Sequence, residues 1–253
     1  MKKIFLRLSP LFLALYILTG CPKDDGPVPD SSNPAKGYAA GKVTDTEGNP
    51  LSGVEIVIDN TYLYNSNYVG TTDADGNYKI KLGFGTFFAY AELKKTYNGK
   101  QYKIELHPDS NEGFTQDGAV RNFQWKITGK KPDTSSGYYG GTIEINKGIE
   151  SSIYDPENIE FTLTPEGPLI DGSEGSIIKM KPGQPRTDSY SKLPDIPIGK
   201  YKITAVYKDS AGDIPLKLKN FSVPNSTYSN TLEFDFEPQT GYCFNCAIID
   251  YME

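Results

Sequence analysis

Histidine is almost absent from this chain, which has one His among 253 residues. A zinc peptidase needs several His and carboxylate ligands, and a Ser-His-Asp or Cys-His nucleophile also needs a His. The single candidate, His107, follows the alternating residues Tyr102, Ile104 and Leu106, so it is typical of a strand end and we expect no catalytic or ligand role for it. The 32 Asp and Glu residues leave one enzyme class open, because two carboxylates are sufficient for glycoside hydrolysis.

Long apolar runs are also absent, except for residues 11–18 near the N terminus. This run follows Lys2, Lys3 and Arg7, and it is shorter than the roughly 20 residues that span a bilayer. A basic start, a short apolar segment and small residues before Cys21 are typical of a cleaved signal peptide. We therefore expect residues 1–20 to be a signal peptide and the remainder to contain no transmembrane segment.

The end of this segment, Leu18-Thr19-Gly20-Cys21, resembles the lipobox of bacterial lipoproteins. The resemblance implies that Cys21 becomes the first mature residue and carries the acyl chains that anchor the protein to a membrane. An ordinary secretory signal with a chance cysteine is the alternative. The next residues, Pro22-Lys23-Asp24-Asp25, resemble a signal that sends lipoproteins to the outer face of the outer membrane in one group of Gram-negative bacteria. The alternative is that Lys23-Asp24-Asp25 is only the polar start of the flexible linker, residues 21–36. A periplasm-facing structural lipoprotein is a further alternative.

Clustered basic residues are lacking as well. The net charge is −6, and removal of residues 1–20 takes away three basic residues and no acidic one, which lowers it to −9. Nucleic-acid binding requires clusters of Lys and Arg, whereas here basic residues alternate with apolar ones, as in Lys79-Ile80-Lys81. We therefore expect no nucleic-acid partner.

The pattern that is present throughout the chain has a period of two residues. Tyr78, Ile80 and Leu82 alternate with Lys79 and Lys81, and similar segments recur up to residue 236, with 25 Gly and 18 Pro between them. We find no amphipathic helix, so we predict an all-β fold of two tandem antiparallel β-sandwich domains. The polar residues 129–137 interrupt the alternation, which predicts domains at residues 37–129 and 137–253.

Three segments of the first predicted domain, residues 41–45, 48–56 and 71–78, look like the carboxypeptidase regulatory-like domain, and they occur in the order of that family. The resemblance implies a Greek-key, transthyretin-like sandwich of about seven strands, a module used as a spacer or docking unit. In the second domain, the segment Pro197-Ile198-Gly199-Lys200-Tyr201 is similar to a turn and strand of the same prealbumin-like superfamily. A related second sandwich is therefore expected.

Aromatic residues give the best candidate for ligand binding. Tyr62, Tyr64 and Tyr68 lie in a short segment with three Asn and Ser residues, a composition that stacks on sugars or on protein side chains. The alternative is that these residues belong to half-buried strands, as most of the 18 Tyr must.

The spacing of Asp73, Asp75 and Asn77 gives a weak Ca²⁺ candidate, since hard cations bind closely spaced oxygen ligands. A hairpin turn is favoured instead, because Tyr78 starts a strand at once and no closing Glu follows. We expect Asp73 and Asp75 to stabilise the turn through hydrogen bonds to the backbone, and we expect no metal or other cofactor.

Cysteine is scarce, with Cys243 and Cys246 the only two besides Cys21. Outside the cytoplasm such a pair is expected to form a disulfide, although a zinc site or a redox motif remains an alternative.

Together these features predict a non-catalytic lipoprotein anchored at the outer membrane and exposed on the cell surface. It would act as a binding, spacer or assembly module with a protein or carbohydrate partner, and the family resemblance allows an accessory role in glycan or nutrient uptake. The alternative is a carboxylate-dependent glycoside hydrolase.

Overall fold

The computed structural model describes residues 36–132, 137–241 and 243–253, which form nineteen β-strands and one short 3-10 helix. The all-β prediction is confirmed. The predicted signal peptide, Cys21 and the linker up to residue 35 lie outside the described residues.

The first half of the chain forms two five-stranded sheets. The strands are β1 Tyr38–Thr44, β2 Glu55–Asn60, β3 Tyr68–Thr71, β4 Asn77–Lys81, β5 Thr86–Tyr97, β6 Lys100–Glu105, β7 His107–Pro108, β8 Phe114–Thr115, β9 Ala119–Val120 and β10 Phe123–Gln124. One sheet has the order β4-β1-β10-β7 with β9 also paired with β1, and the other has the order β3-β2-β5-β6 with β8 also paired with β5.

The predicted alternation decides which side chains face the core. In β4, Tyr78 and Ile80 are buried whereas Lys79 and Lys81 are exposed, because a strand sends successive side chains to opposite faces. The inner face of β2 carries Ile56 and Ile58, both fully buried. The alternation of Phe123, Trp125 and Ile127 predicts a strand that reaches Ile127, but β10 ends at Gln124.

The second half forms one nine-stranded sheet. Its elements are β11 Gly141–Lys147, the 3-10 helix Pro156–Asn158, β12 Ile159–Pro165, β13 Ile178–Met180, β14 Lys192–Ile196, β15 Lys200–Asp209, β16 Gly212–Asn220, β17 Leu232–Asp235, β18 Glu237–Gln239 and β19 Phe244–Met252. The first part of β16 pairs with β15 and its last part pairs with β19, so β16 joins the two parts of the sheet.

The two halves use the same order of pairing. In each half the second strand pairs antiparallel with the third and the fifth, and the fifth pairs antiparallel with the sixth. The first strand pairs antiparallel with the fourth and parallel with the last. The parallel pairs β1/β9, β1/β10 and β11/β19 differ from the expected antiparallel pattern. The two strands of each pair are far apart in the sequence, because parallel neighbours cannot be joined by a tight turn.

The segment between the halves is held on both sides. The backbone of Lys130 forms a bridge with that of Tyr138, and the N–H of Tyr139 donates to the carbonyl of Gly129 at 2.9 Å. The carboxylate of Asp195 accepts hydrogen bonds from the N–H groups of Gly129 and Gly140. Both flanks of the predicted joint are therefore fixed to the second half.

The Pro-x-Gly-x-Tyr segment has a clear packing role. Tyr201 is fully buried, and its hydroxyl donates to the carbonyl of Pro197 at 2.8 Å. A side chain at Gly199 would approach Leu169 and the Tyr201 ring at about 3 Å, so glycine keeps the turn close to the core. Buried apolar residues form one continuous cluster that contains members of both halves.

Candidate functional site

The structure separates the three predicted recognition tyrosines. Tyr62 and Tyr64 lie in the loop between β2 and β3 and are 74% and 101% exposed, respectively. Tyr68 instead packs edge-on against the buried ring of Phe87, with ring centroids 5.9 Å apart. It lies on the inner face of its sheet because it is the partner of Ile58 in the β2/β3 pair. Tyr62 and Tyr64 are therefore available for contact, and Tyr68 is a packing residue.

Two apolar residues that the sequence analysis missed extend the exposed surface. Leu63 is 58% exposed beside the two tyrosines, and Phe84 is 86% exposed in the turn between β4 and β5. The two loops meet at one end of the first half, since the N–H of Thr61 donates to the carbonyl of Thr86 at 3.0 Å. We call Tyr62, Leu63, Tyr64 and Phe84 the aromatic tip.

The base of the aromatic tip is ordered by one buried side chain. The Asn60 Oδ1 accepts hydrogen bonds from the N–H groups of Tyr62 and Leu63 at 3.0 and 3.3 Å. Its amide also lies about 3 Å from the position that a Cβ at Gly85 would occupy, which places the second loop against the first. Asn60 therefore connects both loops of the aromatic tip.

A second apolar surface covers the outer face of the sheet that contains β2. Val57 lies between its cross-strand partners Val69 and Tyr90, and Phe88 follows on the same face of β5. The side chains of Val69, Phe88 and Tyr90 are 60%, 46% and 41% exposed. We call these four residues the outer face. A cavity of about 250 Å³ opens beside Phe88 and Tyr90.

Carboxylates surround the aromatic ring at the centre of the outer face. Burial raises the pKa of the Tyr90 hydroxyl, and the nearby charges of Asp59, Glu92 and Glu55 raise it further. In the β2/β5 register Asp59 is the partner of Phe88 and Glu92 is the partner of Glu55, so these carboxylates flank the Val57/Tyr90 pair on the same face. The arrangement is an exposed aromatic ring among hydrogen-bond acceptors, which is chemically suited to a polar ligand with apolar faces.

The contact between the halves is made by the hairpin of β5 and β6. The Tyr97 hydroxyl donates to the carbonyl of Pro168 at 2.9 Å and accepts from the N–H of Lys200 at 3.0 Å. At the turn, the Asn98 side chain donates to the Asp235 carboxylate at 2.9 Å. We call the segment from Tyr97 to Lys100 the hairpin tip.

Two further contacts continue along β6. The Lys100 Nζ lies 2.8 Å from the Glu237 carboxylate, and the Tyr102 hydroxyl donates to the carbonyl of Phe236 at 2.6 Å. Tyr102 and Phe236 are both fully buried, and burial together with the charges of Asp235 and Glu237 raises the pKa of Tyr102. The contact combines buried apolar packing with directional hydrogen bonds, so it fixes the orientation of one half on the other.

His107 lies beside the same contact. Its Nδ1 is 3.0 Å from the Tyr139 hydroxyl, and the two rings pack edge-on. Burial lowers the pKa of His107, Lys126 lowers it further, and Asp109 opposes them. Burial raises the pKa of Tyr139 to about 12, with a further contribution from Glu105. The geometry shows a packed pair that joins residues from the two halves.

The predicted turn at Asp73 is present. Its Oδ1 accepts hydrogen bonds from the N–H groups of Asp75 and Asn77 at 2.9 and 2.8 Å. Asp73 thus stabilises the turn as expected, whereas the side chain of Asp75 is exposed and Asp75 takes part through its N–H. Within residues 36–132, 137–241 and 243–253, no group of three or more His, Cys, Asp or Glu side chains is arranged to hold a metal ion.

Cys243 and Cys246 are joined in a disulfide in the structure. Cys246 is fully buried, and the N–H of Cys243 donates to the Thr240 hydroxyl at 3.0 Å. The bridge lies where β19 begins beside β18, near the contact between the halves. Cys21, the predicted lipidation site, lies outside the described residues.

An open cavity of about 660 Å³ lies where β11, β16 and β19 end. Its lining includes Ile149, which is 99% exposed, and Phe221, which is 57% exposed. On the polar side, the Lys219 Nζ lies 3.1 Å from the Asp250 carboxylate. We call this region the distal pocket, because β11 and β19 run to it from the contact between the halves.

In the described part of the chain, no helix has the length and apolar character to cross a bilayer. No family model matches the chain, so the carboxypeptidase regulatory-like assignment of residues 37–129 stays a prediction. Structural protein 27 of a virus (isolate Australia/Victoria) is 25% identical over 153 residues, which cover 60% of this chain and 28% of the viral protein.

Solved structures with similarity to the chain include two bacterial proteins. The TIE protein of Bacillus anthracis is 19% identical with a TM-score of 0.32, and the match covers 87% of this chain and 35% of that protein. A streptococcal ancillary pilin is 11% identical with a TM-score of 0.27, and the match covers 85% of this chain and 62% of the pilin. The chain thus spans about a third or less of the viral and Bacillus proteins.

Proposed function

We propose that this chain is a non-catalytic lipoprotein of the cell envelope whose two halves form a rigid spacer. The observation that carries the proposal is the docking of the β5–β6 hairpin on the second half. Tyr97, Lys100 and Tyr102 each bind the other half, and the Tyr102 hydrogen bond is buried. Such a contact limits the motion of one module relative to the other. Domains that share only a small polar interface move relative to one another.

The repeated pairing order supports two tandem modules of related design, with boundaries near residues 129 and 137. The resemblance of the first half to the carboxypeptidase regulatory-like domain agrees with this division. In this arrangement the first module stands next to the N-terminal anchor, and the second module holds the distal pocket away from it. The chain would then present a surface for a protein or carbohydrate partner at the cell envelope.

Anchoring is tested by metabolic labelling with a palmitate analogue. The unaltered chain should incorporate the label and sediment with outer membranes, whereas Cys21→Ala should lose the label. Cys243→Ser/Cys246→Ser is the matched control, and it should remain labelled. An unaltered chain without acyl label would disprove the lipoprotein part of the proposal.

Orientation is tested on intact cells with a membrane-impermeant maleimide. Ile149→Cys places a thiol at a side chain that is 99% exposed beside the distal pocket. We expect labelling on intact cells. Labelling only after the outer membrane is opened would favour the periplasm-facing alternative and would exclude surface exposure.

The outer face favours a second function, carbohydrate binding. Tyr90 offers an exposed ring among Asp59, Glu92 and Glu55, and aromatic faces with adjacent carboxylates bind sugars through stacking and hydrogen bonds. Tyr90→Ala should abolish binding on a glycan array, whereas Tyr154→Ala, at an exposed tyrosine of the second half, should retain it. The hydrolase alternative predicts that reducing sugar is released from a bound glycan. We expect no such release.

A further inference from the structure

The aromatic tip lies at the end of the first half where the described chain begins. The N–H of Leu82 donates to the carbonyl of Gly37 at 2.8 Å, and the N–H of Gly37 donates to the carbonyl of Asp117 at 3.3 Å. Leu82 precedes Phe84 in the same turn. The point at which the N-terminal segment enters the fold is thus directly beside the aromatic tip.

The second half is attached at the opposite end of β5. This strand begins at Thr86, next to the aromatic tip, and reaches the hairpin tip at Tyr97. Its twelve residues span about 40 Å at the usual rise per strand residue. The N-terminal segment therefore enters the fold at the aromatic tip, about the length of β5 away from the hairpin tip.

The length of the N-terminal segment limits how far the first half can move from its anchor. The chain from Cys21 to Gly37 spans at most about 55 Å even when fully extended. A tether of this length gives an effective concentration of about millimolar for contact between the tip and the membrane. Weak contacts of a few side chains are sufficient under this condition.

The chemistry of the tip fits a lipid surface. Neither of the two loops, residues 61–67 and 82–85, contains a charged residue, although 23% of the chain is charged. Tyr, Phe and Leu are the side chains that enter the interfacial region of a bilayer, where aromatic rings with a polar group are preferred. A protein without a partner rarely leaves four large apolar side chains on two neighbouring loops more than half exposed.

We propose that Tyr62, Leu63, Tyr64 and Phe84 insert into the interfacial region of the membrane to which the chain is anchored. This inference rests on the proposed anchoring and adds a second, non-covalent membrane contact. The two contacts together orient the first half on the bilayer, and the docked hairpin then directs the second half away from it.

The test uses the mature chain, coupled through Cys21 to a maleimide phospholipid in phosphatidylcholine vesicles. Cys243 and Cys246 form a disulfide, so Cys21 is the available thiol. Tyr62→Trp reports the tip, and Tyr154→Trp is the matched control because both tyrosines are 74% exposed. The native Trp125 is buried and contributes the same background to both variants.

Brominated lipids should quench Trp at position 62 at least about threefold more than Trp at position 154, since quenching requires contact with the acyl chains. Leu63→Ser/Phe84→Ser should remove most of this difference, and 1 M salt should leave it unchanged because the contact is apolar. Equal quenching at the two positions, or loss of the difference in salt, would overturn the inference. A tip that serves a protein or a glycan would give equal quenching.

The result is independent of acylation in the cell, because the lipid is attached chemically. If palmitate labelling fails while position 62 is quenched, the proposed lipoprotein function is wrong and the tip still binds membranes. If labelling succeeds while the two positions are quenched equally, the anchoring is correct and the inference about the tip is wrong.

Discussion

Replacement of Tyr102 by Phe removes one oxygen atom from the contact between the halves. The hydroxyl donates a 2.6 Å hydrogen bond to the carbonyl of Phe236, and both residues are fully buried. Loss of the donor leaves a buried carbonyl with a longer contact from the Lys100 Nζ at 3.5 Å. An unsatisfied buried acceptor costs about 1–3 kcal/mol. Because the Lys100 contact still satisfies this carbonyl in part, we expect the unfolding free energy to fall by about 1–2 kcal/mol.

The matched control is Tyr201→Phe, which removes the same atom from a hydrogen bond inside the second half. Its hydroxyl donates to the carbonyl of Pro197 at 2.8 Å, and its side chain is as buried as that of Tyr102. We expect a loss of similar size. Only the Tyr102 hydrogen bond joins the two halves, whereas the Tyr201 bond lies within the second half. Only Tyr102→Phe should therefore reduce the cooperativity of unfolding between the halves.

Urea unfolding followed by two signals separates the outcomes. Fluorescence of Trp125 reports the first half, whereas far-ultraviolet circular dichroism reports both halves. Coincident transitions indicate a single cooperative unit. The unaltered chain and Tyr201→Phe should give coincident transitions, and Tyr102→Phe should separate them. A change below about 0.5 kcal/mol in Tyr102→Phe, with coincident transitions, would refute the role given to this hydrogen bond.

Three further predictions concern packing, ionisation and the disulfide. Gly41→Ala should lower the unfolding free energy by about 3 kcal/mol in a denaturation assay, because the new Cβ would overlap the backbone carbonyl of Arg121. Gly241→Ala is the control and should be neutral, since no atom lies close to its Cβ position. The pKa of Tyr139 is raised by burial to about 12, so the folded form keeps a proton that the unfolded form loses above about pH 10. Stability should therefore fall between pH 10 and 12 in a pH series of thermal melts, and Tyr139→Phe should reduce this fall. Reduction of the disulfide between Cys243 and Cys246 should lower the melting temperature by only a few degrees, because the loop is short, and a loss of fold on reduction would contradict this.

The sequence predicts well those strands in which alternation is long enough to define two faces. In β4, and in β6 from Gln101 onwards, polar and apolar residues alternate, and the buried positions follow the pattern. Strands of two residues, such as β7 and β8, have no periodicity, so they form only because neighbouring strands offer hydrogen-bond partners. The parallel pairing of β1 with β10 likewise depends on where a long connection returns, which local composition does not encode.

The surfaces were predicted only in part for a similar reason. Tyr62 and Tyr64 are close in sequence and were found by composition, whereas Phe84 joins them only through the fold. The contact of the hairpin tip with the second half was not predicted. Tyr97 and Tyr102 look like any other tyrosines in a β-strand, and their partners lie 71 to 134 positions away. Only the tertiary structure distinguishes a joining tyrosine from a packing tyrosine such as Tyr68.

Whether the halves form one rigid body is tested most directly by a distance distribution between them. Spin labels at Ser52→Cys and Ser222→Cys, both at exposed positions, report one half each in the chain that starts after Cys21. Pulsed electron resonance should give a single narrow distribution, and combined replacement of Tyr97 and Lys100 by Ala should broaden it. A broad distribution in the unaltered chain would show that the docked hairpin does not hold the halves together.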